Sequence, residues 1–249
     1  MDFTTISFQS VAAKWMQGSH IPLLENSCHI WDINVSETKP YLESLEAMLS
    51  DEEAVKARKF HFQKDTENYI VRRAYLRLFL SKYIGTKAES IVFTSGQNKR
   101  PIVDVQHKSS PKFNLSHTDN RVLIAFSYQE LGVDIEKVNP DFHYSEILEH
   151  YFTEEEINHI TQAIVPLKAF YTLWTRKEAI LKACSKGIIA DLAAIQCVHE
   201  NELIRSDLIS SPWYVTSFDI DEQYTGSVAL PTNAAPLFFK ASLPELLNH

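Results

Sequence analysis

A chain of 249 residues is long enough for one large domain or two modest ones with a real core. Its formal net charge of −8 argues against non-specific nucleic-acid binding, which needs clustered Lys and Arg, but leaves room for a local basic pocket. Three cysteines with no CxxC pair suggest neither a disulfide framework nor a structural zinc site, and no apolar run is long enough to span a bilayer. The first residues lack the basic start and apolar run of a signal peptide, so the expected setting is the cytoplasm, with no membrane or nucleic-acid partner.

Residues 1–27 read as an N-terminal extension, with 11–16 suited to a short helix ended by His20-Ile21-Pro22. His29-Ile30-Trp31-Asp32-Ile33-Asn34-Val35 then alternates as a half-buried strand. A helix follows over about residues 40–49, and Ser50-Asp51-Glu52-Glu53 is a capping box that opens the next. Lys56-Ala57-Arg58-Lys59-Phe60 through Arg77 is the basic pole of the chain. Its long helix, from Tyr69 to Leu80, sets Arg73 and Arg77 one turn apart with Arg72 beside them. That arrangement is either a solvated basic face or a phosphate socket, to which the guanidinium fork is suited. Ile91-Val92-Phe93-Thr94 reads as a strand, Gly96 to Pro101 as a turn carrying Lys99 and Arg100, and Ile102-Val103-Asp104-Val105 as its continuation.

Asn114-Leu115-Ser116-His117 precedes a strong strand, Arg121 to Ser127. A Gln129-Glu130 turn then leads into Leu131-Gly132-Val133-Asp134-Ile135-Glu136-Lys137-Val138. Ser116 beside His117 does not make a hydrolase triad without a GxSxG elbow; it is a polar turn for a phosphate or ribose, or a structural one. On the last strand Val133 and Ile135 face a core, while Asp134 and Glu136 point together about 6.5 Å apart. Parallel carboxylates repel unless a cation sits between them, and oxygen-only ligands suit a hard ion such as Mg²⁺; the plain alternative is a solvated strand face.

The second half repeats the plan. Phe152-Thr153-Glu154-Glu155-Glu156 is an acid-rich helix start, and a long helix over 168–184 follows Pro166. Phe170, Leu173, Ile180 and Cys184 form its buried stripe, and Trp174, Glu178 and Lys182 an adjacent one. Lys186-Gly187 closes the helix, 195–198, 213–218 and 226–230 read as strands, and 231–249 as a tail. The expected fold is α+β: two similar α/β subdomains in pseudo-twofold arrangement, each an antiparallel-type sheet on a long helix. Residues 28–130 form the basic side and 131–249 the acidic side, with the active-site cleft between them.

Gly132-Val133-Asp134-Ile135-Glu136, followed by Trp174-Thr175-Arg176-Lys177-Glu178-Ala179-Ile180-Leu181-Lys182, resembles the paired signature of 4′-phosphopantetheinyl transferases. The larger, single-chain pseudodimeric (Sfp-type) branch is the nearer match. Asn114-Leu115-Ser116-His117, Arg100-Pro101 and Lys56-Ala57-Arg58-Lys59-Phe60 occur in the family's order. The resemblance implies a transfer of phosphopantetheine from coenzyme A to a serine of an apo acyl or peptidyl carrier protein, releasing adenosine 3′,5′-bisphosphate. By the same resemblance Asp134, Glu136 and Glu178 hold Mg²⁺, Glu178 is the general base, and Lys182 serves the departing phosphate. Lys56, Lys99, Arg100, Ser116 and His117 hold the coenzyme A phosphates, with Arg72 and Arg77 added from the basic helix face. Trp174 and Lys177 shape the cleft, Trp174 being alternatively a core residue only, the loop 182–192 lies near the carrier, and the chain is a monomer. Where relatives place a further cation upstream of Lys56, this chain has Glu52-Glu53-Ala54. The rival readings are another Mg²⁺-dependent phosphohydrolase and a non-catalytic module that binds carrier protein or coenzyme A.

Overall fold

Strand alternation and helical stripes build a helix–sheet–sheet–helix stack in the computed structural model, which describes residues 4–17, 22–95, 101–103, 110–184, 192–200, 204–206 and 212–247. The chain opens with β1 (Thr4–Val11), β2 (Trp15–Gln17) and β3 (Cys28–Asn34). Short helices α1 (Val35–Thr38), α2 (Leu42–Glu46) and α3 (Asp51–Ala57) lead to the long α4 (Gln63–Ile84). A ribbon of β4 (Phe93–Ser95) and β5 (Pro101–Val103) precedes β6 (Lys112–Thr118), β7 (Arg121–Ser127) and β8 (Gly132–Lys137). Then come α5 (Ser145–Tyr151), α6 (Glu154–Gln162) and the long α7 (Pro166–Ala183). The chain closes with β9 (Ile204–Ser206), β10 (Trp213–Asp219), β11 (Tyr224–Leu230), β12 (Pro236–Lys240) and α8 (Leu243–Leu247).

One five-stranded sheet has the order β2-β12-β3-β7-β6, the other β8-β11-β10-β1-β9. Both are mixed rather than purely antiparallel, because β12 runs parallel to β2 and β3, and β1 runs parallel to β10. Residues 4–17, read in the sequence as part of an extension with a short helix, thus supply a strand to each sheet. Ile6 and Phe8 are fully buried and alternate with polar neighbours, the period of a strand. The expected tail carries β12, whose Phe238 and Phe239 are buried on opposite faces.

Three cores follow from the alternation. Trp31, Ile33, Val122, Ile124 and Phe126 pack against Tyr75 and Phe79 of α4. Ile6, Phe8, Val215 and Ala229 pack against Phe170, Leu173 and Ile180 of α7. Between the sheets, Ile30, Leu123 and Ala125 meet Val133, Ile135, Val228 and Leu230. Helix α7 rides directly on β8, since a Cβ at Gly132 would lie 2.1 Å from the Ala179 carbonyl oxygen and 2.4 Å from Ala183 N. Gly132→Ala is therefore expected to push the two apart and cost on the order of 1–3 kcal/mol, measured by urea unfolding.

Each long helix is anchored by the same device. Glu53, in a capping box with Ser50, accepts from Arg77 Nε at 2.7 Å, and Arg77 Nη1 donates to the carbonyls of Ala88 and Ile91, both at 2.9 Å. Glu156, in a capping box with Thr153, accepts from Lys177 Nζ at 2.9 Å, and that ammonium also donates to Leu192 O at 2.8 Å and Ile195 O at 2.6 Å. Residues 195–198, expected as a strand, are irregular; the carbonyls of Ile195 and Cys197 serve buried Lys177 and Arg176 instead of a ladder. Lys186-Gly187 lies outside the described residues.

Candidate active site

The facing edges of the two sheets, β6 and β8, are joined by side chains rather than by a backbone ladder. Asn114 Oδ1 accepts from Val133 N at 2.8 Å, Ser116 Oγ donates to Asp134 Oδ1 at 2.8 Å, and Thr118 Oγ1 reaches Glu136 Oε2 at 3.4 Å. Every second residue of β6 thus meets β8, as strand alternation dictates. From α7, Lys182 Nζ donates to Asp134 Oδ1 at 2.6 Å and to Ser116 Oγ at 2.9 Å.

Asp134 is 3% exposed, and its Oδ2 is buried with no hydrogen-bond partner among the described residues. Burial raises the Glu136 carboxyl to about 7, helped by the Asp134 and Glu178 charges and opposed by Lys182 and Thr118. Glu178 is raised too, by burial first and then by Asp134, with Lys182 opposing. Three carboxylates therefore repel one another across this seam, and the Lys182 ammonium offsets that repulsion. No three His, Cys, Asp or Glu residues among those described already stand in a metal-binding cluster. An orphaned buried carboxylate oxygen beside two carboxylates of raised pKa is nonetheless a donor set that suits a hard divalent cation.

His117 follows Ser116 on β6. Although the residue is largely open to solvent, partial covering of its ring, then the Arg72 and Lys182 charges, push it down to about 4, so it is neutral near pH 7. Arg72 is half-buried, with Nε donating to Asn68 O at 3.1 Å. His117 thus feels one cation from α4 and one from α7. Lys56 stands exposed on α3 with its ammonium 5.4 Å above the Tyr69 ring, and no interaction among the described residues ties it to the seam. Lys99 and Arg100 lie outside the described residues.

Two expectations are corrected. Arg77 is 2% exposed and held by Glu53 and two carbonyls, so it has no donor face for a phosphate. Lys177 is fully buried on Glu156 rather than lining a cleft. Trp174 stacks on Phe170, with ring centroids 6.1 Å apart, and belongs to the α7 core. Sequence reading missed Thr118 and the clasp at Asp119; alternation along β6 was the available signal for Thr118. Asp119 accepts from Lys64 of α4 and Lys137 of β8, both at 2.7 Å, and these bonds, Lys137 first, hold its carboxyl down at about 2. Its stabilising contribution is present above the ordinary carboxylate range and is lost as pH falls through about 2. Asp119→Asn is expected to lower stability by no more than about 1 kcal/mol, an effect that shrinks with added salt in thermal melts.

Comparison with known proteins bears on this site. Residues 130–229 match the family model for the 4′-phosphopantetheinyl transferase superfamily, and residues 26–129 match the model for the N-terminal part of 4′-phosphopantetheinyl transferases. A provisionally named 4′-phosphopantetheinyl transferase of Synechocystis sp. is 31% identical over 62% of this chain and 64% of its own. The 4′-phosphopantetheinyl transferase HetI of Nostoc sp. is 31% identical over 68% of this chain and 73% of its own. The transferase Sfp of Bacillus subtilis is 25% identical over 73% of this chain and 82% of its own. With the two models meeting at the start of β8, and with HetI matched over most of its length, the chain belongs to the 4′-phosphopantetheinyl transferase family.

Proposed function

We propose that the chain transfers the 4′-phosphopantetheine of coenzyme A to a serine hydroxyl of an apo acyl or peptidyl carrier protein, releasing adenosine 3′,5′-bisphosphate. The observation that carries this reading is the group at the β6–β8 seam: buried Asp134 held by Ser116 and Lys182, with Glu136 and Glu178 beside it. Asp134, Glu136 and Glu178 would hold Mg²⁺, which supplies charge neutralisation at the pyrophosphate.

The protein's own groups account for the proton traffic. The raised pKa of Glu178 brings it nearer to neutrality, which suits a general base that takes the proton of the carrier serine. The serine oxygen bonds to the pantetheine-bearing phosphorus as the bond to the bridging oxygen breaks. Lys182 can leave its contact with Asp134 to balance or protonate the departing bisphosphate. Neutral His117 offers a hydrogen bond without a fixed charge, and Arg72 places a cation on the side of the first half. Lys56, Lys99 and Arg100 are assigned to the coenzyme A phosphates on the resemblance alone.

Residues 28–130 are read as the coenzyme A phosphate side and 131–249 as the side of the carboxylates and the carrier. The twin Glu–cation–carbonyl anchors on α4 and α7 support a pseudo-twofold relation between the halves. The test is to incubate the protein with coenzyme A, Mg²⁺ and several apo carriers and weigh the carriers. A phosphopantetheine mass gain that disappears with chelator is expected. No gain on any carrier overturns the reading, and nucleotide release without a carrier replaces it with a phosphohydrolase.

A further inference from the structure

Strands β6 and β8 share no ladder, so side-chain rungs set the spacing of these two sheet edges. The rungs climb in step: Asn114 to Val133 N and Ser116 to Asp134, each at 2.8 Å, then Thr118 to Glu136 at 3.4 Å. The third is near the limit of a hydrogen bond and holds Glu136 weakly. A fourth rung follows at once and is short: Asp119 Oδ2 accepts from Lys137 Nζ at 2.7 Å. Glu136 thus sits between two firm rungs, and its own neighbour makes the outer one.

That outer rung carries more structure than a surface ion pair needs. Asp119 Oδ1 accepts from Lys64 Nζ of α4 at 2.7 Å, so one carboxylate ties α4 to β8. Tyr224 OH donates to Oδ2 at 3.3 Å. Tyr224 stands opposite Lys137 in the β8–β11 ladder, and the ammonium lies 6.0 Å over its ring, which limits the freedom of the long lysine. The next residue, Asn120, fixes the turn to α1. Its Oδ1 accepts from Ser36 N and Ser36 Oγ, both at 2.9 Å, and its carbonyl accepts from Val35 N at 3.0 Å. Asp119 itself has a φ of 47°, the one positive value at a non-glycine residue among those described. An L side chain is strained there, and glycine is not. Lys64 and Lys137 are 66% and 40% exposed, so their pairs add little stability to set against that strain. Strained residues held by several contacts cluster at functional sites.

We propose that Asp119 is a positioning residue for the transfer: through Lys137 on β8 and Lys64 on α4 it fixes Glu136 where a divalent cation requires it. The proposal rests on the reading of Asp134, Glu136 and Glu178 as ligands of that cation. Mn²⁺ is titrated by calorimetry into the whole protein with coenzyme A bound and no carrier present. Asp119→Gly removes the carboxylate and suits the backbone. It is expected to weaken Mn²⁺ binding about tenfold while the thermal midpoint stays within about 3 °C of wild type. Lys137→Met leaves the turn untouched; it is expected to show the same loss and carries the test should the glycine variant unfold. Lys168→Ala removes an exposed 2.7 Å pair with Asp219, away from the rungs, and is expected to leave Mn²⁺ affinity unchanged. In transfer assays the half-saturating Mg²⁺ concentration of Asp119→Gly is expected to rise by a like factor, with kcat at saturating Mg²⁺ kept. Unchanged Mn²⁺ affinity in folded Asp119→Gly or in Lys137→Met overturns the proposal, since a purely structural clasp lowers the thermal midpoint alone. An equal loss in Lys168→Ala overturns it too. Wild-type protein that binds no Mn²⁺ overturns the metal reading, and this proposal with it; binding by wild type that the variants retain overturns this proposal alone.

Discussion

Asp134→Asn is expected to abolish phosphopantetheine transfer while the chain stays folded. The wild-type carboxylate does two things at once: it anchors Ser116 and Lys182 through Oδ1 and keeps a second buried oxygen, Oδ2, unpaired. Asparagine can still accept from Ser116 through its oxygen, but it removes the charge and turns the second position into an N–H donor. The site then loses its most buried negative group, and the Glu136 carboxyl falls from about 7 toward its ordinary value because one of the charges raising it is gone. Loss of a preorganised charged group at a phosphoryl-transfer site is expected to lower kcat/KM at least about 10³-fold, equivalent to about 4 kcal/mol of transition-state stabilisation. The fold tolerates the change because Lys182 keeps a side chain 29% exposed and can turn its ammonium to water. Transfer kinetics on an apo carrier, with circular dichroism and a thermal melt alongside, give the answer. A folded variant with near-wild-type rates removes Asp134 from the chemistry, and with it the divalent-ion reading of Glu136 and Glu178.

How much of this was legible in the sequence depended on the range of the interaction. The β8 strand and the Glu178–Lys182 stripe on α7 obey periods of two and 3.6 that lie within a dozen residues, and the structure shows both elements. Placing Ser116 on Asp134 required knowing that β6 and β8 are spatial neighbours that share no ladder, which no local pattern encodes. Strand β1 was harder still, because its parallel partner β10 lies some 200 residues on, with Ile6 opposite Trp213. The basic helix misled for a chemical reason. Arg73 and Arg77 form a surface pattern in sequence, yet both turn onto Glu53, and a guanidinium serves a buried carboxylate as readily as a phosphate. Of the two neighbours Lys177 and Glu178 in the motif, one is consumed by the fold and the other is left at the seam. Consecutive helical residues point about 100° apart, so only the partners of each side chain decide which is which.

Lys177→Met is expected to be among the most destabilising single substitutions on α7. The ammonium and Glu156 are both fully buried, and the carboxylate also accepts from Cys197 N and Thr153 N, each at 2.9 Å. Removing the cation strands a buried negative charge and leaves the Leu192 and Ile195 carbonyls without their donor. Breaking such a pair from one side costs about 3–5 kcal/mol, a large part of the 5–15 kcal/mol that holds a typical domain together. Glu156→Gln should hurt less, since the glutamine can keep the capping and Cys197 bonds in part. The double variant Lys177→Met/Glu156→Gln should recover much of the loss, because no uncompensated charge remains buried. Urea unfolding of the two singles and the double measures the coupling directly. A single-variant loss below about 1 kcal/mol, or a double that equals the sum of the singles, would mean the pair is not the anchor of α7. The transfer rate is expected to fall in Lys177→Met as well. Glu178 and Lys182 lie on the same helix, and their position over β8 depends on α7 being held at its far side by this buried charge.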